Sequence, residues 1–437
     1  MATMSIAYGG IIAFLFRGLN AVVAFATVVL VERTSDFGAF GLGIIVVGIV
    51  NAAGNGMTAA AAYQVANQGQ APGKTLLSGL LPMSTVSVLG IFAGLVAGSA
   101  LSGDVAAAAV PVAVAGAALV LNGVITGVFL GRGAFIRYNV ALVAPPFLSL
   151  CAIAFTVFVL DQRTGEAALG AYAVGQWLAL GAALLYGQRL FEGSLRFSLP
   201  LSGTMVRFAL SASLSGVVSF LGYRGDQFVV AGFEGKAGVE TYLLAVVVAE
   251  SVWQVSGSLS LATYTRIGAA SREEAALLTT RVMRHTLLLL AVVCTGLFLV
   301  ADLIERWVFS SAAMATPLRV LLPGVLIYSL GASLSAFYTY QRGLPWVAAF
   351  IAAMALAINI ALAFVFIPGL GVEGAALAKS VGYAVAIAAG LVMFVRQERV
   401  PVSQLFRFGR DDVEDYRVLL QRLRDLLRTP ARTAPLP

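Results

Sequence analysis

The chain has 437 residues, 59% of them hydrophobic and only 11% charged, with a mean hydropathy of +0.92, far outside the range of soluble globular domains. A formal charge of +7 is carried mostly by short polar loops and the C-terminal tail, so it does not point to nucleic acid. Cys151 and Cys294 stand alone without a CxxC or metal-type spacing, which excludes a disulfide framework or a cysteine metal site.

Apolar runs between charged or Gly/Pro-rich breaks predict an all-α polytopic membrane protein with about twelve spans. They fall near 6–31, 38–62, 77–101, 105–130, 139–160, 167–188, 207–231, 240–263, 283–302, 316–340, 346–367 and 373–395. Runs of this length select helices over a barrel, because each helix pairs its own backbone groups. Basic residues gather in the even connections (Lys74; Arg132 and Arg137; Arg189, Arg196 and Arg207; Arg266, Arg272, Arg281 and Arg284; Arg342), while the odd ones carry Arg33, Arg163, Lys236 and Arg306. That bias puts both termini in the cytoplasm, in a bacterial inner membrane. No basic residue precedes the first span, which is expected to be retained rather than cleaved as a signal peptide.

The charges within spans are the strongest functional signal. Arg17 lies in Phe14-Leu15-Phe16-Arg17-Gly18 with Val22-Val23 following, and Arg224 lies in Phe220-Leu221-Gly222-Tyr223-Arg224-Gly225 with Val229-Val230 following. A guanidinium near the bilayer centre costs about 2.5–3.5 kcal/mol on insertion scales, so it normally faces a cavity, a counter-ion or an anionic ligand. Matching arginines suggest a duplicated bundle. Asp226, Glu250 and Lys379 are also within spans, and Arg319 sits in the first turn of the tenth, where snorkelling to the interface is its expected fate. Glu250 pairing with Arg224 or Lys379, with Asp226 neutralising a neighbour, is the competing structural account.

Neutral polar residues form stripes: Asn51, Asn55 and Thr58 in the second span, Glu250, Gln254 and Ser258 in the eighth beside Trp253, with Tyr242 near that span's end. Asn122 and Thr126, Tyr172 and Gln176, and Asn359 mark other spans. Such groups serve as interhelical glue or line a cavity. Pro111, Pro145-Pro146 and Pro323-Gly324 predict kinks. Enzyme chemistry is disfavoured: the single histidine, His285, sits among arginines at a span's start, no metal-ligand cluster exists, and Gly38 to Gly48 lacks the P-loop ending.

The organisation expected is a six-helix lobe over 1–190, a cytoplasmic linker at 191–206, a second six-helix lobe over 207–395, and a tail at 396–437. Within the tail, Val413, Tyr416, Leu419, Leu420, Leu423 and Leu427 recur at helical spacing between acidic and basic ends, predicting an amphipathic helix for the inner leaflet or a partner.

Three stretches carry a family resemblance: Arg224-Gly-Asp226-Gln-Phe-Val-Val-Ala-Gly with Gly238-Val-Glu-Thr-Tyr242 and Ala249-Glu250; Tyr340-Gln-Arg342-Gly343-Leu-Pro345; and Asn359 through Ile367-Pro368-Gly-Leu-Gly371-Val-Glu-Gly374 to Leu377. The pattern, diffuse over most of the chain, resembles the polysaccharide transporters (Wzx-like flippases) of the multidrug/oligosaccharidyl-lipid/polysaccharide exporter superfamily. The resemblance implies two pseudo-symmetric lobes around a central, partly cationic cavity that opens alternately to either side, and a polyprenyl-diphosphate-linked oligosaccharide as substrate, moved for surface polysaccharide assembly. Arg17, Arg224, Lys379, Asn20, Asn51 and Asn55 would then contact substrate, and Asp226 and Glu250 would be ion-pair gates or coupling residues for H+ or Na+. No cofactor is implied; the tail would offer glycan-assembly proteins a docking segment. A drug or metabolite antiporter of the same superfamily and an integral-membrane glycan polymerase or ligase are the alternatives, the first opposed by an excess of cations at membrane depth and the second by short outer loops.

Overall fold

A computed structural model describes residues 6–100, 103–191, 194–254, 256, 267, 270–309 and 313–406, and within the first helix the side chain of Arg17 is not among the described groups. The predicted tail helix at 411–428 and Ser258 of the eighth-span stripe lie outside the described residues.

The described chain is helical throughout: α1 (Ile6–Thr34), α2 (Phe37–Ala66), α3 (Pro72–Ala100), α4 (Gly103–Gly131), α5 (Phe135–Phe158), α6 (Gly165–Phe191), α7 (Leu199–Arg224), α8 (Asp226–Ser251), α9 (Arg272–Trp307), α10 (Ala315–Tyr328), α11 (Gly331–Ala336), α12 (Pro345–Glu398) and α13 (Val402–Phe406), with a π turn at Phe337–Gln341. Among the described residues nine helical stretches are long and apolar enough to cross a bilayer. This is a multi-pass membrane protein.

Two of these helices are hairpins. Gly235 (φ 64°, ψ −158°) and Gly371 (φ 58°, ψ −137°) take backbone conformations open essentially to glycine alone, and the chain reverses there. Reversal within α12 lays Gly382 against the backbone of Ala355 and Asn359, and Gly390 against Ile351. Reversal within α8 lets the Tyr242 hydroxyl donate to Asp226, sixteen residues earlier. The membrane pass that begins as α7 therefore continues past a break at Gly225 to Gly235, and the next one starts there. With each hairpin counted as two passes, and α10 with α11 as one, the twelve expected spans are accounted for.

Small residues set the helix packing. Gly54 faces Val120, Gly116 faces Val50 and Gly127 faces the Thr58 backbone, so α2 and α4 approach closely along their length. The opposite side of α2 carries α7: Gly48 meets Phe220, Ala52 meets Gly216, Ser213 donates to the Ala53 carbonyl, and Tyr63 stacks on Phe208. Asp36 caps α2 by accepting from Ala39 N at 3.1 Å, and a Ser271/Glu274 capping box starts α9. Half of the expected linker at 191–206 is the first part of α7. The extended residues before it are pinned to α3 by Gly73 N donating to Ser194 Oγ (3.0 Å) and Ser198 N donating to Ser78 Oγ (3.1 Å).

Pro111, Pro145, Pro146 and Pro323 all lie inside helices that run on past them, while the interruptions of helical backbone fall at Gly225, Gly235, Gly371 and Ser329–Leu330. Neighbouring helices can satisfy the carbonyls a proline frees, whereas a left-handed or reversing backbone demands glycine.

Candidate functional site

Asp226 lies nine residues before the Gly235 reversal, about 13 Å along the helix, which is close to halfway through a hydrocarbon core of about 30 Å. Lys379 lies eight residues beyond the Gly371 reversal, at similar depth. The two hairpins thus deliver charges from distant sequence to one level.

At that level four charged side chains meet. Lys379, fully buried, places Nζ 3.3 Å from Asp226 Oδ2 and 3.1 Å from Glu250 Oε1, and donates to the Tyr223 carbonyl at 3.0 Å. That carbonyl is at the C-terminal end of α7, where the break leaves acceptors outside the ladder. Arg224 Nη2 lies 3.0 Å from Glu250 Oε2. Tyr242 donates to Asp226, and Tyr383 donates to Glu250 Oε1 at 3.4 Å. The ammonium also lies over the rings of Tyr242 and Tyr383, 5.9 and 5.7 Å from their centroids.

Two cations and two carboxylates balance. The excess of positive charge expected at membrane depth is absent from this cluster, and Lys379, expected to contact substrate, is spent on protein acceptors in this conformation. Buried ions persist only when paired and hydrogen-bonded, which is the reason the four converge. The pairing is incomplete: Arg224 is the most exposed member, with a quarter of its side chain accessible, while its Nη1 and Asp226 Oδ1, both buried, have no protein partner. Gln227, fully buried next to Asp226, has neither amide atom hydrogen-bonded to protein.

An aromatic group adjoins the cluster. Trp253 is surrounded by Tyr223, Tyr328 and Tyr383 at ring separations of 5.9, 5.4 and 5.8 Å, and Tyr328 stacks on Tyr383 at 4.1 Å. Trp253 Nε1 donates to the Val325 carbonyl at 3.2 Å, fixing the indole. Tyr223, Trp253 and Tyr328 face a cavity of about 270 Å3 together with Ser256, Ser329 and Ser335. Sequence inspection missed Tyr223, Tyr328 and Tyr383; Tyr223 adjoins Arg224 and Tyr383 follows Lys379 by one helical turn, whereas Tyr328 has no such neighbour.

The other expected site residues do not join this cluster's contacts. Asn20 and Asn55 are exposed and Asn51 is half-buried, the last two on the arc of α2 between its α4 and α7 contacts. Asn122 Nδ2 donates to the Ala141 carbonyl, Thr126 to the Asn122 carbonyl, and Gln176 to Ser149, all as interhelical or intrahelical ties. Arg319 forms a two-pronged pair with Asp302 at 3.0 and 2.7 Å, with its guanidinium over Phe298, so it ties α9 to α10 instead of simply snorkelling. Among the described residues no group of three or more His, Cys, Asp and Glu could hold a metal ion.

No protein-family model matches the sequence, and no curated protein does. Solved structures share the fold. The chain superimposes on the lipid II flippase MurJ in an inward closed conformation with a TM-score of 0.71 at 12% identity, covering 97% of this chain and 94% of that one. It superimposes on an inward-facing multidrug resistance MATE transporter of the MOP superfamily with a TM-score of 0.68 at 16% identity, covering 87% and 94%. A MOP superfamily transporter from Pyrococcus furiosus, described as having a binding pocket of reverse polarity, gives a TM-score of 0.61 at 15% identity over 89% and 94%. At these identities the likeness is one of fold: an all-α, polytopic membrane architecture shared with transporters and a flippase.

Proposed function

We propose that the chain is a flippase that carries a polyprenyl-diphosphate-linked oligosaccharide across a bacterial inner membrane by alternating access. Arg224 supports this most directly. Its guanidinium stands at mid-depth beside a helix break, bound to Glu250 through one nitrogen, with a quarter of the side chain accessible and a second, buried nitrogen lacking a protein acceptor. A diphosphate offers what that edge lacks, since guanidinium groups take phosphate oxygens in a forked geometry. Arg17, in matching local sequence, would meet the ligand from the first helix, and Asn20, Asn51 and Asn55 would line the approach.

The carboxylates then act as place-holders. With the site empty, Glu250 and Asp226 neutralise Arg224 and Lys379. Arrival of a diphosphate at Arg224 displaces Glu250 from that guanidinium. Lys379 remains on its aromatic and carboxylate partners and prevents the two carboxylates from repelling each other.

The even charge balance also suits the alternative, an antiporter for organic cations, because a carboxylate freed from Lys379 or Arg224 could take a positive ligand. Reconstituted vesicles separate the two. Translocation of a fluorescent polyprenyl-diphosphate sugar, lost in Arg17→Ala and Arg224→Ala at unchanged membrane abundance, is the expected result; full translocation by both variants would remove the site. Uptake of organic cations without lipid translocation would support the antiporter.

A further inference from the structure

A second cavity, of about 910 Å3, is enclosed by α2, α3 and α4 and by the first arm of the α8 hairpin, and none of the four clustered charges lines it. Small residues give it space: Gly90, Ala93 and Ala97 on α3, and Ala109, Ala113 and Gly116 on α4. Val46, Val86 and Phe228 stand uncovered in its walls, each more than a third accessible. Ser87 brings the one hydroxyl among the lining residues and donates it to the Ala117 carbonyl at 3.4 Å. Apart from Lys236 at its mouth, the cavity therefore offers a solute no free polar group, and its interior suits a hydrocarbon chain.

Its length matches one leaflet. The cavity runs from Ala39 to Val50 along α2, from Ala97 back to Val86 along α3, and from Ala108 to Val120 along α4. At 1.5 Å per residue these distances are about 16–18 Å, against about 15 Å for half of a 30 Å hydrocarbon core. The mouth lies at the membrane surface on the side of the Gly235 turn, where Lys236 Nζ is 3.3 Å from Asp36 Oδ2. Both of these side chains are more than a third exposed, so the pair is weak and opens at little cost.

We infer that this is the site of a resident phospholipid with an ethanolamine headgroup, one acyl chain filling the cavity, its phosphate on Lys236 and its ammonium on Asp36. Charge complementarity selects the occupant. An ammonium supplies donors to the carboxylate and a phosphate supplies acceptors to the lysine, so a zwitterion inserts into the pair and leaves both charges satisfied. Phosphatidylglycerol or a polyprenyl diphosphate would meet Lys236 but bring like charge towards Asp36. Because the cavity is walled by α2 to α4 on one side and by Phe228 and Ala231 of α8 on the other, the seated chain would bridge the two halves of the sequence whichever molecule is transported.

The test is native mass spectrometry of the purified full-length protein with dioleoyl-phosphatidylethanolamine, dioleoyl-phosphatidylglycerol and farnesyl phosphate. Wild type should retain one phosphatidylethanolamine, bound about tenfold more tightly than phosphatidylglycerol. Asp36→Asn, which keeps an acceptor for the α2 cap, should bring the two phospholipids within about twofold of each other. Lys236→Gln should weaken phosphatidylethanolamine about fivefold. Gly90→Phe, at a position where an added Cβ meets no atom within 4 Å, should fill the cavity and weaken it about tenfold. Equal binding of the two phospholipids by wild type, a preference that survives Asp36→Asn, or undiminished retention in Lys236→Gln or Gly90→Phe would overturn the assignment. So would displacement of bound phosphatidylethanolamine by an equal concentration of farnesyl phosphate, which would give the cavity to an isoprenoid-linked substrate instead.

Discussion

Replacing Lys379 by methionine removes the shared cation from between two buried carboxylates. Lys379 is fully inaccessible and lies within 3.3 Å of Asp226 and 3.1 Å of Glu250, whose side chains are themselves at most 9% accessible. Glu250 keeps Arg224 and Tyr383, but Asp226 is left with Tyr242 alone. Breaking a buried pair from one side costs about 3–5 kcal/mol, because an uncompensated charge stays behind. With an unfolding entropy of about 2.1 cal/mol/K per residue, a chain of this length should melt roughly 3–5 °C lower. Lys379→Met with Asp226→Asn removes both partners and should recover most of the loss, while Asp226→Asn alone should be intermediate. Thermal unfolding in detergent, followed by the monodisperse fraction on size exclusion, reads all three. A single variant as stable as wild type, or a double variant no better than the single, would refute the claim that this cluster is a mutually compensating set.

Two further outcomes test the frame that assembles the cluster. Gly371→Ala should cost about 1–3 kcal/mol and lower the folded yield, since φ 58° with ψ −137° is a region that a Cβ strains; wild-type stability would contradict the reversal there. Asp36→Ala should cost about 1 kcal/mol through loss of the α2 cap, whereas Asp36→Asn should keep most of the stability because the amide oxygen still accepts. Equal losses in the two would instead credit the exposed pair with Lys236, which is worth at most about 1 kcal/mol.

What was legible in the sequence follows from what each signal measures. Hydropathy finds spans and flags Arg224, Asp226, Glu250 and Lys379 as anomalies, since each breaks an apolar run. It does not say that they meet: Lys379 is 153 positions from Asp226, and their contact depends on reversals at Gly235 and Gly371 and on the packing of the hairpins against each other. The competing account, Glu250 pairing with Arg224 or Lys379 and Asp226 with a neighbour, names the contacts observed, though counting charges by span does not select it. Tyr223, Tyr328 and Tyr383 raised no alarm, as aromatics are ordinary in membrane helices.

The central claim is that Arg224 exchanges Glu250 for the diphosphate of a lipid-linked sugar. Isothermal titration of farnesyl diphosphate into wild type, Glu250→Gln and Arg224→Gln addresses it directly. The account predicts that Glu250→Gln binds more tightly than wild type and that Arg224→Gln binds at least tenfold more weakly. Unchanged affinity in Arg224→Gln, or weaker binding in Glu250→Gln, would contradict it.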